Sequence, residues 1–187
     1  MNLAQPLLFQ DFGAPDSAIN EIISVQRQLR ELSSQALYIK RYLQHLGATR
    51  IVLEQNYFDR DYLEEFASFY SKSSRGYSNS CKRAHFFKDE YVTRELFTKA
   101  LKGHETSISL LNQSYLGFTV IRPIPQAPFG RTVLSWYPDT ITPPRVVEPA
   151  RVYKSHIANL TFEVTGLAWQ QQDSAIAACA TVGLWSM

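Results

Sequence analysis

The sequence predicts an α+β fold: a mixed or largely antiparallel sheet with two or three helices on one face, a long N-terminal helix and a C-terminal apolar helix. Three observations carry that expectation. Residues 17–46 repeat apolar side chains at spacings of three and four, the period of a helix. Several shorter segments rich in Val, Ile, Phe and Tyr are bounded by turn residues, as strands are. The chain is 45% hydrophobic, 13% aromatic and 19% charged, a composition that fills a core and differs from that of disordered chains. Its 187 residues suit one domain over 1–166, with 167–187 as an appended helix.

The long repeat comes first. Asp16 or Ser17 caps its start, and Gly47 suits the position just past its end. Between them Ile22, Val25, Leu29, Leu32, Ala36, Ile39, Leu43 and Leu46 make an a/d seam. One continuous helix of this length would run ~45 Å. A domain of this size is roughly 40 Å across. The helix therefore either packs along the sheet, broken near Ser33-Ser34, or projects and binds a protein partner or a second copy through 17–46.

The remaining elements follow in order. Thr49 to Tyr57 reads as a strand, and Asp59 caps a helix with Tyr62, Leu63, Phe66 and Tyr70 on one face. Lys82 to Phe87 reads as a strand. Thr93 to Lys102 reads as a helix that Gly103 stops. Tyr115 to Arg122 and Arg131 to Tyr137 are strands separated by a stiff loop containing Pro123, Pro125 and Pro128. Arg151–Ile157 and Leu160–Thr165 form a hairpin around Ala158-Asn159. From Trp169 to Met187 a Gln-rich start passes into small apolar residues, read as a buried helix. That helix has no stop signal before Met187, from which a longer natural protein is expected.

The chemistry-bearing candidates are few. Gln170, Gln171, Gln172 and Asp173 precede Cys179, with an apolar run after it. A Gln amide can donate to an oxyanion, and a helix N-terminus lowers a thiol pKa. This stretch resembles the segment from oxyanion Gln to nucleophile Cys of papain-like cysteine peptidases, nearest to the bacterial group related to double-glycine leader peptidases. The resemblance covers some 15 of 187 residues. It implies Cys179 as nucleophile, Gln172 as oxyanion donor and a later His as base. The family's Gln stands six residues before the Cys, where this chain has Asp173, and no His follows Cys179. His45, His85, His104 and His156 all precede it. The resemblance therefore implies a hydrolase or acyl-transfer enzyme that is inactive as this isolated chain. Read without the resemblance, Cys179 is a small buried apolar residue among alanines.

Two sets of basic residues offer anion or nucleic-acid binding. Lys72, Arg75, Lys82, Arg83 and Lys88 occur with Tyr70, Tyr77, His85 and Phe86 and no acid between Ser71 and Lys88. Arg122 and Arg131 flank the proline loop. The plain alternative makes the first set a solvated loop beside a core strand and the second a stiffened crossover. The acids Asp59, Asp61, Glu64 and Glu65 at a helix start are explained by capping and dipole.

The net charge of +2 gives no global argument for nucleic acid or membrane. No apolar run reaches the ~20 residues of a membrane span, and no signal peptide is evident. Two cysteines, Cys81 and Cys179, form neither a disulfide framework nor a zinc motif, so both are expected reduced in a cytoplasmic protein without cofactor or metal. Two functions remain. The first is the N-terminal part of a cysteine peptidase. The second is a non-catalytic interaction module acting through the long helix and the proline loop, with nucleic-acid binding through residues 72–88 as a weaker variant.

Overall fold

The computed structural model describes residues 7–29, 34–136 and 150–172. Its centre is a six-stranded sheet in which each neighbouring pair is antiparallel. The strands are β1 (Leu7–Asp11), β2 (Arg50–Tyr57), β3 (Cys81–Phe87), β4 (Tyr115–Ile121), β5 (Phe129–Leu134) and, at the far edge, β8 (Ala168–Trp169), in the order β1-β2-β3-β4-β5-β8. A separate hairpin, β6 (Arg151–Ile157) and β7 (Leu160–Gly166), turns at the two residues the sequence marks.

Strand alternation divides the core in two. On one side Ile51, Leu53, Ala84 and Phe86 meet α1 (Ala18–Gln28) and α2 (Ser34–His45) through Ile19, Ile22, Ile39 and Leu43. On the other side Val52, Phe87, Tyr115 and Phe118 meet α3 (Arg60–Ser68), α4 (Arg94–Leu101), α5 (Glu105–Ser114) and the hairpin through Tyr62, Phe97, Leu111 and Phe162. The helices thus cover both faces, not one. The central strands are accordingly buried on both sides: every residue of β4 is buried.

Of the two readings of 17–46, the broken one is observed in place of one long helix. The heptad seam of 17–46 is carried by two helices, α1 ending at Gln28 and α2 beginning at Ser34. Seam residues of α2 face the sheet, with Ala36, Ile39 and Leu43 at most 1% exposed, whereas Val25 is 37% and Leu29 47% exposed. A local apolar period cannot tell one helix from two in the same register. Ser17 is the N-cap residue of α1, yet its hydroxyl donates to the Phe12 carbonyl, and Gln10 accepts from the Ala18 amide. Asp59 caps α3 as expected, accepting from the Tyr62 amide at 3.0 Å.

Strand β1, helix α5 and strand β8 lack a sequence signal. Helix α5 buries Ser107, Leu111 and Ser114 and so has only a thin apolar stripe. Strand β8 is two residues long, but it pairs with β5 and ties 168–169 into the main sheet, so the division at 166/167 does not separate them from it. The expected apolar helix ending at Met187 lies outside the described residues. No helix among the described residues is long and apolar enough to cross a membrane.

The exposure difference along the seam gives a test. Leu43→Ala should lower unfolding stability by about 2–5 kcal/mol, the usual cost of truncating a packed leucine. Leu29→Ala should change it by under about 1 kcal/mol. Urea denaturation measures both, and equal losses would show that the seam is buried along its full length.

Candidate functional site

The most polar part of the interior lies on β2, β3 and β4, on the face covered by the hairpin. Glu54 and Arg83 stand opposite each other in the β2–β3 register and form an ion pair. The Arg83 guanidinium sits 4.0 Å over the Tyr57 ring and donates to the His156 carbonyl of the hairpin. His85, fully buried, lies 3.1 Å from Glu54 through Nε2 and 3.0 Å from the Tyr115 hydroxyl through Nδ1. Burial pushes its pKa down to about 4, Arg83 adds to the fall, and the Glu54 hydrogen bond opposes it. The imidazole is therefore neutral at pH 7. Its proton is best placed on Nε2, donated to Glu54, with Nδ1 accepting the Tyr115 hydroxyl. Burial works to raise the Glu54 pKa, but hydrogen bonds and charges from His85 and Arg83 outweigh it and hold the carboxyl below its ordinary range. The Arg83 bond to the His156 carbonyl makes this cluster a tie between the hairpin and the sheet.

The candidate site is elsewhere, at the end of the sheet where α1 meets the proline loop. A cleft of about 400 Å³ lies between Ala18, Ile22 and Val25 of α1 and Pro123, Ile124 and Pro125 of the loop. Its walls are aliphatic. Its mouth carries Glu21 and Lys82, 3.4 Å apart, with Gln55, Ser78 and Ser80. A β-bulge helps to build this mouth: between the pairs Glu54–Arg83 and Tyr57–Cys81, the two residues Gln55 and Asn56 oppose Lys82 alone. Such a bulge re-aims side chains at a strand end. The walls are tied together by buried Gln26, whose amide donates to the Pro125 carbonyl at 3.2 Å.

Arg122 closes one end of the cleft and is the most heavily bonded side chain in it. It is buried, donates to the Ala127 carbonyl at 2.7 and 3.1 Å and to the Gln171 carbonyl at 2.8 Å, and pairs with Glu65 of α3 at 3.0 Å. Gln171 is held further: its amide N–H donates to the Phe129 carbonyl at 2.8 Å, and its side chain bonds Phe129 and Gln126. Gln170 donates to Glu65 at 3.0 Å. Gln170 and Gln171, which the sequence offers as oxyanion donors, are thus engaged in positioning the chain. Gln172 is exposed. Asp173 and Cys179 lie outside the described residues.

Comparisons with protein-family models, with curated proteins and with solved structures give no match.

The basic candidates do not gather on one surface. Lys82 and Arg83 are adjacent on β3 and point to opposite faces, Lys82 to Glu21 and Arg83 to Glu54. Arg131 pairs with Asp61 at 2.6 Å and Arg122 with Glu65, so the acids at the start of α3 neutralise both loop arginines. Lys72, Arg75 and Lys88 are exposed and make no ion pair among the described residues; Arg75 bonds the Tyr77 hydroxyl. Of the five basic residues of 72–88, Lys82 and Arg83 are thus paired with carboxylates. The four histidines are dispersed: His104 caps α5, His45 bonds the Arg41 carbonyl, His156 bonds Thr161, and His85 is in the buried cluster. Cys81 is a free, buried thiol that burial pushes up to about 12. No three His, Cys, Asp or Glu among the described residues could hold a metal together.

Sequence reasoning named the helix and the loop but had no signal for the cleft between them, nor for Gln26. Gln26 occupies a flank of the apolar seam, where a polar residue is expected in water.

Two outcomes follow. Removing a buried paired guanidinium strands its partners, so Arg122→Ala should cost about 3–5 kcal/mol. Arg122→Lys should restore little, because an ammonium cannot reach three acceptors in the guanidinium plane; urea midpoints decide this, and full rescue by Lys would refute the fork. The second concerns pH. His85 binds a proton at its ordinary 6.5 when unfolded and at about 4 when folded, so its contribution is whole above 6.5 and falls as pH drops toward 4. Glu54, depressed in the fold, adds to the loss at lower pH. Urea midpoints should fall from pH 7.5 to 4.5, and His85→Gln should show a shallower fall; identical slopes would remove His85 as the cause.

Proposed function

We propose that this domain is a protein-interaction module whose binding site is the cleft between α1 and the proline loop. One observation carries the reading. The two features that the sequence marks for contact with a partner are walls of the same concave, largely aliphatic space, with Glu21 and Lys82 at its mouth and the paired Arg122 at one end. Such a cleft receives apolar side chains and excludes water, while the polar rim sets orientation. The walls are stiff: prolines fix the loop backbone, Gln26 ties loop to helix, and Arg122 ties loop to α3. A preformed site binds without an ordering cost.

A second reading keeps the thiol chemistry of the papain-like resemblance, with Cys179 as nucleophile and Gln172 as oxyanion donor in a longer protein. The observation in its favour is that Arg122 and Gln171 anchor the chain immediately before Gln172. A peptidase of that kind needs an imidazole base. None of the four histidines here follows Cys179, so this chain by itself should show no peptidase activity.

Selection of a displayed random-peptide library on the chain tests the first reading. Enriched sequences should be apolar, should protect α1 and residues 121–128 from hydrogen exchange, and should bind Val25→Glu at least about tenfold more weakly, a loss of ~1.4 kcal/mol. Val25 is 37% exposed, so the substitution spares the core. Protection mapped to another surface would assign binding elsewhere.

A further inference from the structure

The occupant of this cleft can be narrowed by asking which mode of peptide recognition its walls permit. We infer that it takes an amphipathic helix lying along α1, with aliphatic seam residues and opposite charges facing Glu21 and Lys82; this rests on the interaction reading above. Extended peptides commonly add to a free strand edge. Over the paired register the lining strands offer none: β2 up to Glu54 lies between β1 and β3, β3 between β2 and β4, and β4 between β3 and β5. Proline-rich peptides dock in grooves lined by aromatic rings. The cleft lining contains no aromatic residue. A helix laid in an apolar groove is read instead through anchors spaced three and four apart.

The wall of α1 has that spacing. Ile22, Val25 and Leu29 follow one another along one stripe, about 10 Å long at 1.5 Å per residue. Ile22 is buried and Val25 lines the cleft, yet Val25 is 37% and Leu29 47% exposed. The stripe therefore runs out of the cleft into solvent along the helix axis, as a coiled-coil half-seam does, and not into a closed pocket for one side chain. Charge gives the orientation. Glu21 precedes Ile22, the flanking position that pairs across a helix–helix seam. Its present partner, Lys82, is 3.4 Å away, and the two side chains are 55% and 40% exposed. An ion pair that open is held weakly. A basic residue of the incoming helix can meet Glu21 while an acidic one meets Lys82, and neither charge becomes buried without a partner.

The test uses the whole chain and three fluorescent peptides in anisotropy titrations. The first is a three-heptad synthetic helix with Leu at its seam and Lys and Glu on its flanks. The second has the same composition with a central proline that breaks the helix. The third is an extended proline-rich peptide. The first should bind, and the other two should bind at least about tenfold more weakly. Val25→Glu and Leu29→Glu should each weaken the first by a similar factor, with melting curves like that of the unsubstituted chain. Glu21→Lys should shift preference toward a probe whose Lys flank is replaced by Glu. Equal binding of the broken peptide, sensitive to Val25→Glu, would overturn the helical occupant and leave the interaction reading standing. Binding of no peptide, or binding indifferent to both substitutions, would overturn both. Light scattering that shows a dimer dissolved by Val25→Glu would assign the stripe to a second copy of the chain and overturn the partner inference.

Discussion

The Arg122 guanidinium joins three separate parts of the chain at one point. It stands at the end of β4, where the chain leaves the sheet for the proline loop. From there it bonds the loop at Ala127, α3 at Glu65 and the segment after β8 at Gln171. A charge this deep is stable only if each donor finds an acceptor, so the loop, the helix and the segment are fixed relative to one another or the arginine is exposed. The shape of the cleft follows from this, since the loop held by Arg122 is the wall that faces α1. The direction of the chain into Gln172 follows too. A lysine in the same place would present one compact charge and leave two of these three attachments unmade.

The second constraint is the sheet's double burial. Once both faces are covered, a polar side chain on a central strand has no route to water, and β3 carries two of them, Arg83 and His85, on one face. They are tolerated because Glu54 and Tyr115 come to the same place from the neighbouring strands, and the His156 carbonyl from the hairpin above. The cluster holds the hairpin on the sheet by direction as well as by area. The aromatic contacts of Phe162 with Phe87, Phe97 and Tyr115 supply the apolar part of the same junction. The site is thereby separated from the polar core: the buried titratable groups serve architecture, and the open cleft has a nearly aliphatic lining.

Much of the local structure was legible in the residues. Asp59 caps α3, the turn at Ala158-Asn159 closes the hairpin, and Gly47 ends α2 with φ +76°, a backbone angle at which a Cβ is strained. Each of these is decided within a few residues by backbone geometry. Other signals were ambiguous for an equally local reason. The run of basic residues from Lys72 to Lys88 looks like a patch in sequence, but strand alternation sends Lys82 and Arg83 to opposite faces, and carboxylates from α1 and β2 meet them there. The heptad seam looks continuous because a break between two helices in register leaves its period intact.

The sequence by itself determined the class of fold, the positions of β2–β7, α3 and α4, and the presence of a helical seam and a rigid proline loop, because periodicity, caps and prolines act through neighbouring residues. Tertiary structure alone decided that helices cover both faces, that α2 turns its seam inward while α1 leaves half of its own outside, and that the proline loop faces α1. The bond that joins those two walls runs from Gln26 to Pro125, across 99 residues of chain. No local pattern encodes such a contact. It arises because the sheet brings the end of β4 beside α1, and because the buried Gln26 amide needs an acceptor once water is gone.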